Sequence, residues 1–80
     1  MENERNGTGT ARPLDVLGNS LEKTILVKTK HGEDITGQLK AFDSHINVWL
    51  DDARVNGEKE IRLGTVLIRG DSIVYISPGK

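Results

Sequence analysis

A flat imidazole, a primary amide and a guanidinium stand in two short segments of this chain, Phe42-Asp43-Ser44-His45-Ile46-Asn47 and Ile68-Arg69-Gly70-Asp71. Each segment lies where one hydrophobic run gives way to the next, so both read as loops. Two planar groups can sandwich an unstacked nucleobase while an amide reads its edge, which is how single-stranded RNA is commonly recognised. His45, Asn47 and Arg69 are therefore candidate base-binding residues, provided the fold brings the two loops together. Taken singly, each has a plainer reading: an exposed histidine, a turn asparagine, and hairpin chemistry in Gly70-Asp71. Their joint occurrence at one end of a sheet is what favours the functional one.

The elements that must position them can be read from period and punctuation. Pro13 suits a first helical turn, and Leu14, Leu17 and Leu21 recur at spacings of three and four before Gly18-Asn19 offers a stop, which predicts a short one-sided helix. The period then changes to two. A first strand runs over Ile25 to Lys30, with a turn at His31-Gly32-Glu33-Asp34. In a second, Ile35, Gly37, Leu39 and Ala41 point inward, and Gly37, lacking a Cβ, marks a bend. A third places Ile46, Val48 and Leu50 inward with Asn47, Trp49 and Asp51 outward, and Asp52 to Glu60 reads as a polar turn. A fourth runs from Ile61 to Ile68, and a tight Gly70-Asp71 turn leads into a fifth from Ser72 to Ser77, the two forming a last hairpin. The fold class is mostly β.

Composition sets the bounds. Eighty residues without cysteine make one domain with a thin core and no disulfide staple. No apolar stretch is long enough to span a bilayer and the N-terminus has no signal-peptide pattern, so a cytoplasmic protein with no membrane partner is expected. A formal net charge of −1 gives no global case for nucleic acid, and any RNA affinity must be local. Residues 1–12 are polar and rich in Gly, Thr and Asn, which predicts a disordered tail ahead of a domain over 13–80. The Gly-Thr-Gly within that tail lacks the strand and helix that a phosphate loop requires.

The last two strands are apolar on both faces at Val66-Leu67-Ile68 and Ile73-Val74-Tyr75-Ile76, more than one small helix can cover. They would also end the sheet, leaving unpaired backbone groups beside exposed apolar side chains. The economical solution is self-association, each chain's fourth strand pairing with the next chain's fifth. Such a contact is heterologous and closes into a ring when the rotation per subunit is right. The candidate seam is Val66, Ile68, Val74 and Ile76.

With Gly37, Asp43, His45 and Asn47 in one segment and Leu63-Gly64, Ile68-Arg69-Gly70-Asp71 and Tyr75-Ile76 in the other, the chain resembles the bipartite signature of Sm and Sm-like (Lsm) proteins, most closely the archaeal ones. The resemblance spans about Pro13 to Pro78. It implies the Sm fold, a short helix followed by a strongly bent five-stranded antiparallel sheet forming a small open barrel. It further implies a homo-heptameric ring through strands four and five, and uridine-rich single-stranded RNA bound at the central pore. Bacterial Hfq rings share the fold, but their second motif differs from Ile68-Arg69-Gly70-Asp71. Carried over by position, the uridine pocket falls on His45, Asn47 and Arg69, with Gly70 and Asp71 completing the turn and Ser44 as a backbone or ribose contact. Asp71 is expected to orient Arg69 or cap the turn rather than touch RNA, since a carboxylate is repelled by phosphate.

Other features weigh less. Lys28, Lys30, Lys40 and Arg62, with Arg12 beside the helix, are explained equally by a solvated face or a second RNA surface. Trp49, the sole tryptophan, is assigned to packing against a neighbouring subunit or sheet, with base stacking on an outer face as the alternative. An enzyme would need a nucleophile with its base, a carboxylate pair in a pocket or a metal cluster. Here there is no cysteine, His31 and His45 lie a strand apart, and Glu33-Asp34 and Asp51-Asp52 read as solvated turn charges. No catalysis, cofactor or metal is expected. A ring acting as a protein scaffold without RNA is the rival class, since fold alone does not assign function.

Overall fold

The structure, a computed structural model, describes residues 12–79. The expected tail and its Gly-Thr-Gly therefore lie outside the described residues apart from Arg12, whose amide donates to Asp15 Oδ2 at 2.9 Å at the start of helix α1, Pro13–Gly18. That contact satisfies one of the amide donors a helix start leaves free. Of the three leucines read as one apolar face, only Leu17 is buried. The helix is a single short segment, and Leu21 falls beyond its end.

Five strands follow: β1 Thr24–Thr29, β2 Asp34–Phe42, β3 Val48–Asn56, β4 Ile61–Ile68 and, after a short 3-10 turn Gly70–Ser72, β5 Ile73–Ser77. They form one antiparallel sheet in the order β4-β3-β2-β1-β5. Alternation does most of the work. Ile25 and Val27 on β1, Ile35 and Leu39 on β2, Val48, Leu50 and Ala53 on β3, and Ile68 on β4 turn to one side and, with Leu17, make the core.

The sheet bends where Gly37 crosses β3. A Cβ there would lie 3.0 Å from Leu50 Cβ and 3.1 Å from the Ala53 Cα and the Asp51 carbonyl oxygen, so only glycine lets the strands approach this closely. The β2–β3 register shifts at the same level, between Thr36 and Gln38, and again between Leu39 and Ala41. Asp52, opposite the first shift, has φ +51. Such bulges insert a residue, tighten the twist and bend the strand.

These bulges explain two departures from the sequence reading. Leu50 and Ala53 both point inward although three residues apart, so strict alternation fails and 52–56 looks like a loop when it is the second half of β3. The connection to β4 is thus 57–60 only, and Arg54 on β3 reaches Glu60 Oε2 at 3.3 Å and Asp52 Oδ2 at 3.5 Å. Likewise Ala41, expected inward, is exposed, because the second shift lies just before it.

The last hairpin is also corrected. β5 pairs with β1, not with β4, and the 3-10 turn carries the chain from one edge of the sheet to the other. Ser72 N and Oγ both donate to the Arg69 carbonyl, at 3.0 and 2.8 Å, while Lys30 N donates to the Ser72 carbonyl at 2.8 Å, docking the crossing on the end of β1. A bent sheet makes this possible by bringing its far edge near the end of β4.

Candidate nucleic-acid interface

The loop between β2 and β3 is built around one carboxylate. Asp43 Oδ1 accepts from the amides of His45 at 2.9 Å and Asn47 at 3.1 Å, and Oδ2 accepts from Asn47 Nδ2 at 3.0 Å. The backbone closes the same loop, Ile46 N donating to the Asp43 carbonyl and Asp43 N to the Asn47 carbonyl. An aspartate bonding the amide two residues on is the ordinary way a short polar side chain organises a turn. Its consequence is that Ile46, read from the sequence as the first inward residue of a strand, is instead held in the loop at φ +64. For a β-branched residue this backbone is disfavoured by about 1–3 kcal/mol, and packing of the Ile46 side chain against the core offsets it.

The second loop meets the first through Gly70. Its amide donates to Asn47 Oδ1 at 2.8 Å. A Cβ on Gly70 would overlap the His45 carbonyl oxygen and lie 3.0 Å from the Ile46 carbonyl carbon, so the absence of a side chain is what lets the two backbones touch. Arg69 Nη2 donates to Asp71 Oδ2 at 3.2 Å, both side chains being exposed. The carboxylate thus lies against the guanidinium.

His45, Asn47, Arg69, Gly70 and Asp71 line one open cavity. Ser44 lies in the turn between Asp43 and His45, exposed and outside that lining. The two loops named from the sequence are therefore adjacent, although the strands they follow are not all neighbours. Asp43 is the residue whose part sequence reasoning missed. It stood in the motif without a role, and the legible signal was a carboxylate two positions before His45 in a turn.

The Asn47 side-chain amide, followed by the His45 and Asn47 backbone amides, holds the Asp43 carboxyl below its ordinary value. A group whose folded pKa is depressed lends stability above its unfolded pKa of about 3.9, and that contribution is withdrawn as pH falls through the lower folded value. The Asn47 backbone and side-chain amide resonances should consequently move together, and only as pH falls below the usual aspartate range. In Asp43→Asn the shared transition should vanish. A transition of those resonances that persists in Asp43→Asn would mean that another group holds the loop.

Of the basic residues, Lys28 pairs with Asp34 at 3.1 Å and Lys40 with Glu22 at 2.8 Å. Among the described residues, no helix is long and apolar enough to cross a membrane.

Comparison with known proteins agrees with this geometry. A family model for the LSM domain matches residues 15–78. A protein of Methanosarcina barkeri described as snRNP Sm-like is 44% identical over 69 residues, covering 84% of this chain and 96% of its own length. The solved structure of a Pyrococcus abyssi Sm protein in complex with a uridine heptamer is 44% identical with a TM-score of 0.80, covering 86% of this chain and 100% of that one. The SmAP1 heptamer of P. aerophilum superposes with a TM-score of 0.83 at 33% identity, covering 89% of this chain and 97% of that one. The bent five-stranded sheet, the paired loops and these likenesses together make the chain a member of the LSM domain family.

Proposed function

We propose that this chain assembles edge to edge into a ring, heptameric as in the P. aerophilum relative, and binds uridine-rich single-stranded RNA in the cavity of His45, Asn47 and Arg69, facing the central pore. Its role is then in RNA processing or as an RNA chaperone. The P. abyssi relative, solved with a uridine heptamer, supports the choice of ligand.

The observation that carries the reading is the fixed orientation of the Asn47 amide. Nδ2 faces a carboxylate that only accepts, and Oδ1 faces an amide N–H that only donates. Flipping the amide would oppose like partners at both ends, so one orientation is held. What remains free is one N–H and one lone pair of Oδ1. Uracil matches them with O4 and N3–H, whereas cytosine presents an acceptor at N3 and donors at N4 and mismatches both. By analogy with base-edge contacts in DNA, such a pair of bonds discriminates by about 1–3 kcal/mol. His45 and Arg69 supply flat faces on either side of the base, and Arg69 adds charge for phosphate.

Self-association is supported by the strand order, which leaves β4 and β5 as the two edges of one sheet. Leu67 on β4 is 76% exposed and Val74 on β5 58%, an apolar residue at each unpaired edge. Edges of this kind are normally covered.

The test is oligouridine and oligocytidine binding to the assembled protein. Wild type should prefer uridine by about tenfold or more, and Asn47→Ala should bring uridine down to the level of cytidine with the assembly intact. His45→Ala and Arg69→Ala should weaken both ligands more evenly, because stacking tolerates any base. No binding to either oligonucleotide at moderate salt would remove RNA from the reading and leave the scaffold.

A further inference from the structure

The surface around Asn47 and Arg69 does not end at the base cavity. A second cleft shares both residues and continues over Phe42, Trp49 and Leu67. Trp49 follows Asn47 by two residues, with Ala41 of β2 and Leu67 of β4 as its cross-strand neighbours. Its Nε1 donates to Asp51 Oδ1 at 3.0 Å, an oxygen that also accepts from Thr65 Oγ1 at 2.9 Å. The polar edge of the indole is therefore satisfied and its rotation restrained. Yet the residue is 40% exposed and is not part of the packed core. An anchored indole with an open face has the form of a stacking platform.

We propose that Trp49 is a second base-binding site, on which the nucleotide next to the pocketed uridine lays its base. The proposal rests on the RNA reading of the neighbouring cavity. Two residues of extended chain span about 7 Å, within the reach of one unstacked nucleotide. Arg69 lines both clefts and so stands where the linking phosphate would pass. Its guanidinium favours an anionic polymer there over an apolar peptide. The competing occupant is the neighbouring subunit of the ring. A strand added to the β4 edge lies one strand spacing of about 4.8 Å beyond β4 and two beyond β3, so it covers Leu67 first and leaves the indole of Trp49 open. Because a ring face reads no hydrogen-bonding edge, this second position accepts any base, unlike the first.

The sole tryptophan is its own reporter. The assembled protein is titrated with uridine monophosphate, UpU and UpA, following tryptophan emission and, in parallel, binding heat. Uridine monophosphate should bind with little change in emission, whereas UpU and UpA should both quench it. UpA is the decisive ligand, since the first pocket does not select adenine. Trp49→Leu should lose about fivefold or more in dinucleotide affinity with uridine monophosphate unaffected, and Trp49→Phe should keep most of it. Dinucleotides that bind by heat with unaltered emission, and with Trp49→Leu unaffected, overturn the second site while leaving the first. An indole already shielded from acrylamide in the RNA-free assembly also overturns it, because a neighbouring subunit then occupies the face. Absence of binding heat for every ligand overturns the underlying RNA reading, and this site with it.

Discussion

Val74→Lys should give a folded chain that no longer assembles. Val74 projects from the β5 edge and is more than half exposed, so the lone chain tolerates a lysine there. In a seam against the next chain's β4, the same ammonium loses water with no partner, at a cost of several kcal/mol in every interface of the ring. Light scattering should report subunit-sized particles while circular dichroism keeps the β signal. Leu67→Lys, on the opposite edge, should behave alike. Mixing the two variants is the sharper experiment, because a head-to-tail contact leaves one wild-type seam between unlike chains and should yield heterodimers. Full-sized rings from Val74→Lys alone would place the seam elsewhere. Ile68→Lys, an equivalent test on sequence grounds, is not one. Ile68 is only 6% exposed within the chain's own core, and a lysine there should unfold the subunit before assembly is asked of it.

Gly70→Ala should abolish most oligouridine binding and destabilise the subunit together. The new methyl group meets backbone atoms of His45 and Ile46, which cannot rotate away as a side chain would. The two loops must part, and the bond from Gly70 N to Asn47 Oδ1 breaks. Overpacking of this kind costs about 1–3 kcal/mol. With the amide of Asn47 unpinned and the two stacking faces displaced, uridine affinity should fall by well over tenfold. Arg69→Ala provides the control: it removes one exposed guanidinium of the proposed pocket, so affinity should drop while the melting temperature holds. If Gly70→Ala melts like wild type and binds oligouridine fully, the loops are not coupled through this contact.

That His45, Asn47 and Arg69 would share one cavity was legible in the sequence because their residue types are rare in combination. Imidazole, amide and guanidinium in two turn segments, each flanked by alternating apolar residues, leave few other uses. Inward positions such as Ile25, Val27, Ile35, Leu39, Val48 and Leu50 were legible too, since period two maps directly onto one face of a strand. The misreadings cluster where that period breaks. Asp52 at positive φ slips the parity of β3 by one residue and disguises Ala53 and Val55 as loop, and the shift beside Ala41 turns that side chain outward. A bulge is a relation between two strands, so one strand's pattern does not announce it.

By itself the sequence determined the number and order of the strands, most of the residues that fill the core, and the chemical groups of the candidate site, because each of these depends on residue type and local spacing. Only the tertiary structure decided which strands are neighbours, and so that β4 and β5 stand at opposite edges instead of pairing. It alone decided that Asp43 and the Gly70 amide hold Asn47 from two sides, and that Ile68 belongs to the core while Leu67 faces out. The reason is physical: apart from the bonds inside the Asp43–Asn47 turn, these are relations between segments that lie far apart in sequence, 23 residues for Gly70 and Asn47, and their geometry depends on the bend at Gly37, which brings the far edge of the sheet round to the loop that follows β2.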